Sequence, residues 1–358
     1  LHQIGIKTMK LKEFLNSFQT LKLQFIELTR GYTLLTSAAP WFVAAAAASV
    51  SAHFYSDIKL KLFTTFLSFI AIMCVHLGVN LLDDYIDVKK QIKNGTPLSE
   101  IKFEDKVRNK AGLIIDGTYS LKDVKVILGI LFGFGILSGI YFTFLYGWII
   151  PFYAVVSGIL CLLYPISSRF YLSETIVGTI FGPLLIMGTY TALTGLYLHK
   201  LFIMSIAVGL IIVVLLSTHN IMDYDYDKKA GKRTLSTLTG SKKGALILLA
   251  GEILIAYLII IYLALSKQFP YWILLSILLT APLSIKLIIS LNDYNNMKNL
   301  KFIPKWYLGP MENWDIIQKA DIEYFMYRFY IARNLGFIFC IILALVCFFT
   351  IKINYIYV

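Results

Sequence analysis

Nine stretches of this chain, at about residues 33–52, 63–82, 126–145, 147–166, 175–198, 201–220, 244–265, 270–290 and 335–351, are almost wholly apolar. Each runs near the ~20 residues that a helix needs to cross a bilayer. Inside hydrocarbon every backbone N–H and C=O must find its partner within the protein, which leaves helices or closed barrels as the spanning structures. Segments twice the length of a barrel strand select the helix. The chain is 58% hydrophobic and only 15% charged, whereas a soluble domain carries about a quarter charged residues. The expected fold is therefore all-α, a polytopic membrane bundle of nine transmembrane helices around a central cavity.

Two of these stretches end in carboxylates. Asn80-Leu-Leu-Asp83-Asp84-Tyr-Ile-Asp87 closes the second, and Asn80, Asp83, Asp84 and Asp87 fall three or four residues apart, on one helix face. Asn220-Ile-Met-Asp223-Tyr-Asp225-Tyr-Asp227 closes the sixth in the same way, with Asp223 and Asp227 at i,i+4. Several negative charges on one face, close to hydrocarbon, repel each other and are costly. A divalent cation among them removes the cost. Oxygen ligands of this kind suit Mg²⁺, which takes one or two carboxylates and completes its shell with water and phosphate oxygens. Two such patches suggest two metal sites that grip one polyanion.

Charge distribution predicts which way the chain faces. The net charge is +12, and in a membrane protein this points to basic loops on an anionic cytoplasmic leaflet rather than to nucleic acid. With nine spans, 28 of the 33 Lys and Arg residues belong to the side that holds the N-terminal stretch, counting Lys286 with the loop it adjoins. Lys59, Lys61, Lys200, Lys267 and Lys352 make up the rest. The positive-inside rule makes the richer side cytoplasmic, so the N-terminus and both acidic mouths are expected there, in a bacterial inner membrane.

Residues 1–30 read as an amphipathic interfacial segment, with Leu11, Leu15, Phe18 and Leu21 at helical spacing. They do not read as a cleavable signal peptide. Residues 31–358 form the transmembrane domain, with cytoplasmic loops expected at 83–125, 221–243 and 291–334 and an interfacial helix around Asn313 to Tyr330. Cys74, Cys161, Cys340 and Cys347 lie in apolar stretches without metal-type spacing and read as small packing residues.

Acid and base sit side by side after the sixth stretch, where Lys228, Lys229, Lys232 and Arg233 follow Asp227 at once. A diphosphate calls for both metal and Lys/Arg. Arg30, Tyr164, Ser168 and Arg169 are further candidates for its pocket. A diphosphate grip at the mouth of an apolar bundle implies a substrate whose other end is greasy, and a polyprenyl diphosphate meets both demands.

The first acidic run resembles the first Asp-rich motif of the UbiA superfamily of intramembrane prenyltransferases. Asp223-Tyr-Asp-Tyr-Asp227-Lys-Lys-Ala-Gly-Lys232-Arg233-Thr-Leu resembles the second, in wording nearest to the MenA branch, the 1,4-dihydroxy-2-naphthoate prenyltransferases of menaquinone synthesis. Phe181-Gly-Pro-Leu-Leu-Ile-Met-Gly188-Thr-Tyr190 resembles that branch too. Position 83 is Asp where the branch often has Asn, position 219 is His where Asn is usual, and Gly31 follows Arg30 where many relatives have Pro. The resemblance implies Mg²⁺ held by Asp84, Asp87, Asp223 and Asp227, with Asp83 a possible fifth ligand. It implies diphosphate bound by Asn80, Asn220, Lys232, Arg233, Arg169, Arg30 and Tyr164. The product would be a prenylated aromatic, with decarboxylation in the naphthoate case. The proton acceptor stays open among Asp83, Asp225 and His219.

Blander readings stand beside these. Asp83, Asp84 and Asp87 taken alone are also what a solvated helix end looks like, Asp225 alone suits a solvated companion, Tyr164 suits an interfacial belt, and His76 suits an internal hydrogen bond. Glu252, inside the seventh stretch, has no partner legible in the sequence. Other acceptors (4-hydroxybenzoate, homogentisate, a chlorophyllide, a glycerol phosphate) and a cation-coupled transporter are the rival functions.

Overall fold

A computed structural model describes residues 20–54, 61–98, 111–292, 314–319 and 323–356. Among them nine helices are long and apolar enough to cross a membrane. They are α1 (Leu35–Phe54), α2 (Leu62–Lys93), α3 (Leu121–Tyr146), α4 (Ile149–Ser167), α5 (Ser173–Thr194), α6 (His199–Met222), α7 (Lys242–Leu265), α8 (Tyr271–Asn292) and α9 (Glu323–Ile356). The described residues contain no strand. The protein is an integral membrane protein: Phe144 on α3, Leu162 on α4 and Trp148 between them are 86%, 66% and 87% exposed, an apolar surface that only lipid covers without cost.

The chain divides into two compact units. One comprises residues 1–34 and 73–135, the other 35–72 and 136–358, and α2 and α3 contribute to both. In the first unit Leu28, Leu81, Val88, Ile114, Val124 and Leu128 form the core. It fastens the segment before α1 and the short helix Gly112–Ile115 to the α2 and α3 portions. In the second unit α6 packs against α5, α7 and α9, and α1 lies against α5 and α9.

Close approach of α5 to α6 depends on glycine. A Cβ at Gly182 would lie 2.5 Å from the Ser205 carbonyl oxygen and 2.8 Å from Gly209 Cα. One at Gly209 would lie 2.3 Å from the Gly178 oxygen. Small residues that let backbones touch are how membrane helices pack without a hydrophobic driving force. In the middle of this contact Ile180–Leu184 adopts a π-helical turn around Pro183, which lacks the N–H an α-helix would use there.

Three boundaries differ from the sequence reading. Residues 83–93, expected as loop, continue α2, because Asp83 to Lys93 contain no helix breaker and the stop comes at Gly95, φ +86°. The loop between α6 and α7 holds two short helices, Tyr224–Lys229 and Leu235–Leu238. The interfacial helix expected at Asn313 to Tyr330 is instead a short helix, Trp314–Lys319, and the first turns of α9, which begins at Glu323. Arg328, within that stretch, is fully buried and donates from Nε and Nη2 to the Ser290 carbonyl at 2.9 and 2.7 Å, tying α9 to the last turn of α8. Leu11, Leu15 and Phe18 lie outside the described residues.

Candidate active site

In the first unit the acidic face of α2 is also a docking face. His76, Asn80, Asp83 and Asp84 occupy successive turns, and the segment Thr29–Thr33 lies along them. Arg30 takes a left-handed backbone (φ 52°, ψ 42°) at the head of the short helix Gly31–Thr33. From there its Nη2 reaches Asp83 Oδ2 at 3.1 Å and also pairs with Asp84 Oδ1. Asn80 donates its amide to the Thr29 carbonyl at 3.2 Å and to Thr33 Oγ1 at 3.0 Å, and Thr33 Oγ1 meets His76 Nε2 at 2.9 Å. Asp84 is buried and Asp87 half-buried one turn on. The repulsion between neighbouring acids, for which the sequence suggested only a metal, is thus already relieved at Asp83 and Asp84 by one guanidinium. Asn80, read as a diphosphate ligand, spends its donor on the backbone that carries Arg30.

In the second unit α6 is uncharged from Leu201 to Thr218 and packed on three sides, so its polar end is fixed. Asp223 leaves the helix (φ −95°, ψ 11°), and the next turn begins with Asp227 N–H donating to the Asp223 carbonyl at 2.8 Å. His219 Nε2 lies 3.1 Å from Asp223 Oδ2, and its ring meets Phe325 edge-on at 5.4 Å. Asp227 is buried, and the Lys232 ammonium is 2.9 Å from its Oδ1. That is an ion pair without hydrogen-bond alignment, so this oxygen has no aligned donor. The same ammonium lies 5.5 Å from the Tyr226 ring centre. Asp225 is 70% exposed and pairs with Lys242 at 2.6 Å, a solvated companion rather than part of the pocket.

Backbone bonds bring two distant loops together. Arg233 N–H donates to the Ser168 carbonyl at 2.6 Å, and Tyr171 N–H donates to the Arg233 carbonyl at 3.1 Å. Arg169 and Arg233, both exposed, therefore belong to one clamped pair of loops beside Asp227 and Lys232. Tyr164 is half-buried on the last turn of α4, where its carbonyl accepts from Ser167 Oγ at 2.6 Å. Between α1, α6 and α9 a cleft lined by Leu35, Ile212, Leu215, Arg333 and Phe337 opens one turn before His219.

Glu174 escaped the sequence reading. It is 1% exposed and accepts at Oε1 from Asn220 Nδ2 (2.8 Å) and from the Leu235 N–H (3.0 Å), and at Oε2 from Ser173 Oγ (2.7 Å). One signal was available: Glu174 is the only carboxylate side chain between Asp123 and Asp223. Glu252, inside α7, is also buried and accepts from Ser217 Oγ at 2.9 Å.

Among the described residues no group of three or more His, Cys, Asp or Glu side chains is arranged to hold a metal ion unaided. Each unit offers carboxylates singly or in pairs. Such a set can bind Mg²⁺ only together with oxygens from a substrate or water.

Comparison with known proteins bears on what this arrangement serves. The UbiA prenyltransferase family model matches residues 36–308, a span that takes in both acidic motifs and leaves out Arg30. The 1,4-dihydroxy-2-naphthoate octaprenyltransferase of Bacillus subtilis (strain 168) is 25% identical over 252 residues, covering 69% of this chain and 75% of that enzyme. Among solved structures, the apo UbiA homolog from Aeropyrum pernix K1 superposes with a TM-score of 0.55 at 16% identity, over 85% of this chain and 94% of its own. A digeranylgeranylglyceryl phosphate synthase gives 0.56 at 16% identity, over 92% and 99%. Likeness at that identity establishes a shared fold.

Proposed function

This chain belongs to the UbiA prenyltransferase family, and from that premise we propose that it moves a polyprenyl group from its diphosphate to 1,4-dihydroxy-2-naphthoate, with loss of the carboxyl group. Membership of the family sets aside the transporter reading. The acceptor rests on the naphthoate enzyme to which the chain is 25% identical and on the wording of the second motif.

One observation carries the diphosphate part of this reading. At the end of an uncharged membrane helix, Asp223 and Asp227 lie one turn apart, and the ammonium of Lys232 stands 2.9 Å from Asp227. Mg²⁺ fits the residues here: the donors are all oxygens, and buried Asp227 Oδ1 lacks an aligned hydrogen bond. Asp223 and Asp227 would hold it in one unit, Asp84 and Asp87, with Asp83, in the other. When bound, the metal supplies Lewis-acid stabilisation of the departing pyrophosphate.

The chain's own residues account for the rest. Lys232 and Arg30, both already paired with carboxylates, share their charge with the diphosphate oxygens, and Arg169 and Arg233 add exposed charge at the clamped loops. The C–O bond to the prenyl chain breaks and pyrophosphate leaves; a ring carbon of the acceptor forms the new C–C bond and gives up its proton, and the carboxyl carbon departs as CO₂ with a proton taking its place on the ring. Apolar walls of the bundle keep water from the allylic cation. His219, turned toward Asp223 by its 3.1 Å contact, is the best supported of the three candidate proton acceptors, because Asp83 faces Arg30 and Asp225 faces Lys242.

The test uses purified protein in lipid with Mg²⁺, polyprenyl diphosphates of several lengths, and a panel of aromatic acceptors, one carrying labelled carboxyl carbon. Prenylated product with release of labelled CO₂ from the naphthoate is the expected result. Transfer to 4-hydroxybenzoate or homogentisate with none to the naphthoate would overturn the acceptor.

A further inference from the structure

The segment between α6 and the helix Leu235–Leu238 carries Asp223, Asp227, Lys232 and Arg233, and both its ends meet one side chain. Asn220, one turn before Asp223, donates to Glu174 at 2.8 Å, and the Leu235 N–H, directly after Thr234, donates to the same oxygen at 3.0 Å. Glu174 stands at the start of α5, where Ser173 holds its other oxygen at 2.7 Å. It is 1% exposed and, of the residues expected to meet metal or phosphate, it meets only Asn220, whose amide it engages. A buried carboxylate that accepts three hydrogen bonds is satisfied, and removing it strands the buried amide of Asn220 and the backbone N–H of Leu235.

We infer that Glu174 is the positioning residue of the second acidic motif, setting the geometry in which Asp223, Asp227 and Lys232 take up a metal-bound diphosphate. This rests on the proposed function, since it concerns the same mouth. Between its two ends the loop is tied to Lys242 by Asp225 at 2.6 Å. Its middle is held by Arg233 to Ser168 and Tyr171, and Gly231 turns it at φ +70°. Without Glu174 the two ends separate, while α5 and α6 remain packed through Gly178, Gly182 and Gly209. Hydrogen-bond acceptance, rather than charge, does the holding. Gln at 174 keeps an acceptor oxygen for Asn220 and Leu235 and offers its amide to Ser173 Oγ. Asp keeps the charge and falls one methylene short.

The experiment compares E174Q, E174D and E174A with the wild type in lipid nanodiscs. Mn²⁺ binding in the presence of inorganic pyrophosphate, followed by electron paramagnetic resonance, reads the mouth without any prenyl transfer. Amide hydrogen exchange over residues 221–238 reads the anchor. In E174D and E174A the Mn²⁺ affinity should fall about tenfold or more, the usual cost of losing a group that orients metal ligands, and the 221–238 amides should exchange faster. E174Q should stay within about twofold of wild type in both. If E174A does not insert and fold, E174D carries the comparison. Wild-type Mn²⁺ affinity in E174D and E174A overturns the inference, and so does an E174Q as impaired as E174D, which would make charge the active property. A wild-type protein that binds no Mn²⁺ with pyrophosphate overturns this inference and the proposed diphosphate site together. Failure of naphthoate prenylation with the expected binding pattern overturns only the acceptor.

Discussion

Lys232 and Asp227 form an ion pair of 2.9 Å in which the carboxylate is 3% and the ammonium 49% exposed. The asymmetry matters. The acid is fixed and buried, and the cation stands at the edge where a substrate arrives.

Replacing each partner should therefore have different consequences. D227A removes a proposed metal ligand, and transfer should fall to background. K232A removes one charged hydrogen-bond donor, worth about 1.5–3 kcal/mol, so the KM for polyprenyl diphosphate should rise roughly tenfold to a hundredfold with kcat changed less. Half-exposed pairs contribute little to folding, so the K232A melting temperature should stay within a few degrees of wild type. Steady-state kinetics and a thermal scan of both variants decide this. A K232A enzyme with normal KM would remove Lys232 from the diphosphate site.

Arg30 presents the opposite balance. Its side chain is 25% exposed and that of Asp84 only 4%, so R30A leaves a buried carboxylate without its guanidinium. Allowing for partial solvent access, the loss should be about 1–3 kcal/mol. D84N removes that buried charge, so the R30A/D84N double variant should recover most of the lost stability while remaining inactive. A double-mutant cycle on melting temperatures measures the coupling. Additive losses would show that the pair does not hold the 29–33 segment to α2.

The part of this protein that was legible in its sequence is the part that depends on runs and spacing. Apolar length located each of the nine helices that, among the described residues, are long enough to span a membrane, and three- and four-residue steps put Asp84 beside Arg30's reach and Asp227 one turn after Asp223. Helix ends were misread where charge interrupted hydropathy without interrupting helix geometry, as from Asp83 to Lys93 and from Glu323 into α9. Partners far apart in the chain were invisible. Arg30 finds Asp84 54 residues on, and Glu174 finds Asn220 and Leu235 46 and 61 residues on. No local pattern marks an acid as the receiver of such bonds, because the donors are a common amide and a backbone N–H.

The glycine contact between α5 and α6 yields a test that leaves every polar group untouched. At Gly182 a Cβ would press on the Ser205 oxygen and Gly209 backbone, at 2.5 to 2.9 Å, neither of which can rotate away. At Gly188 the nearest atom is Tyr153 Cβ at 3.5 Å, an ordinary contact. G182A should cost about 1–3 kcal/mol through overpacking and lower kcat, because α6 carries Asp223. G188A should be near neutral in both. Equal behaviour of the two variants, in melting temperature and in turnover, would contradict the packing argument.

Orientation is the last property the chain's charges predict. Lys229 belongs to the basic loop after α6, and Lys267 follows α7 in a loop poor in Lys and Arg. By the positive-inside rule the first faces the cytoplasm and the second the opposite side. A variant free of the four native cysteines is the background for K229C and K267C. In intact cells a membrane-impermeant maleimide should label K267C and spare K229C, and inverted vesicles should reverse the pattern. The comparison separates orientation from reactivity, since both positions are exposed and each serves as its own control across the two preparations. Labelling of K229C in intact cells would place the second acidic motif at the outer face and remove the cytoplasmic supply of diphosphate on which the proposed reaction depends.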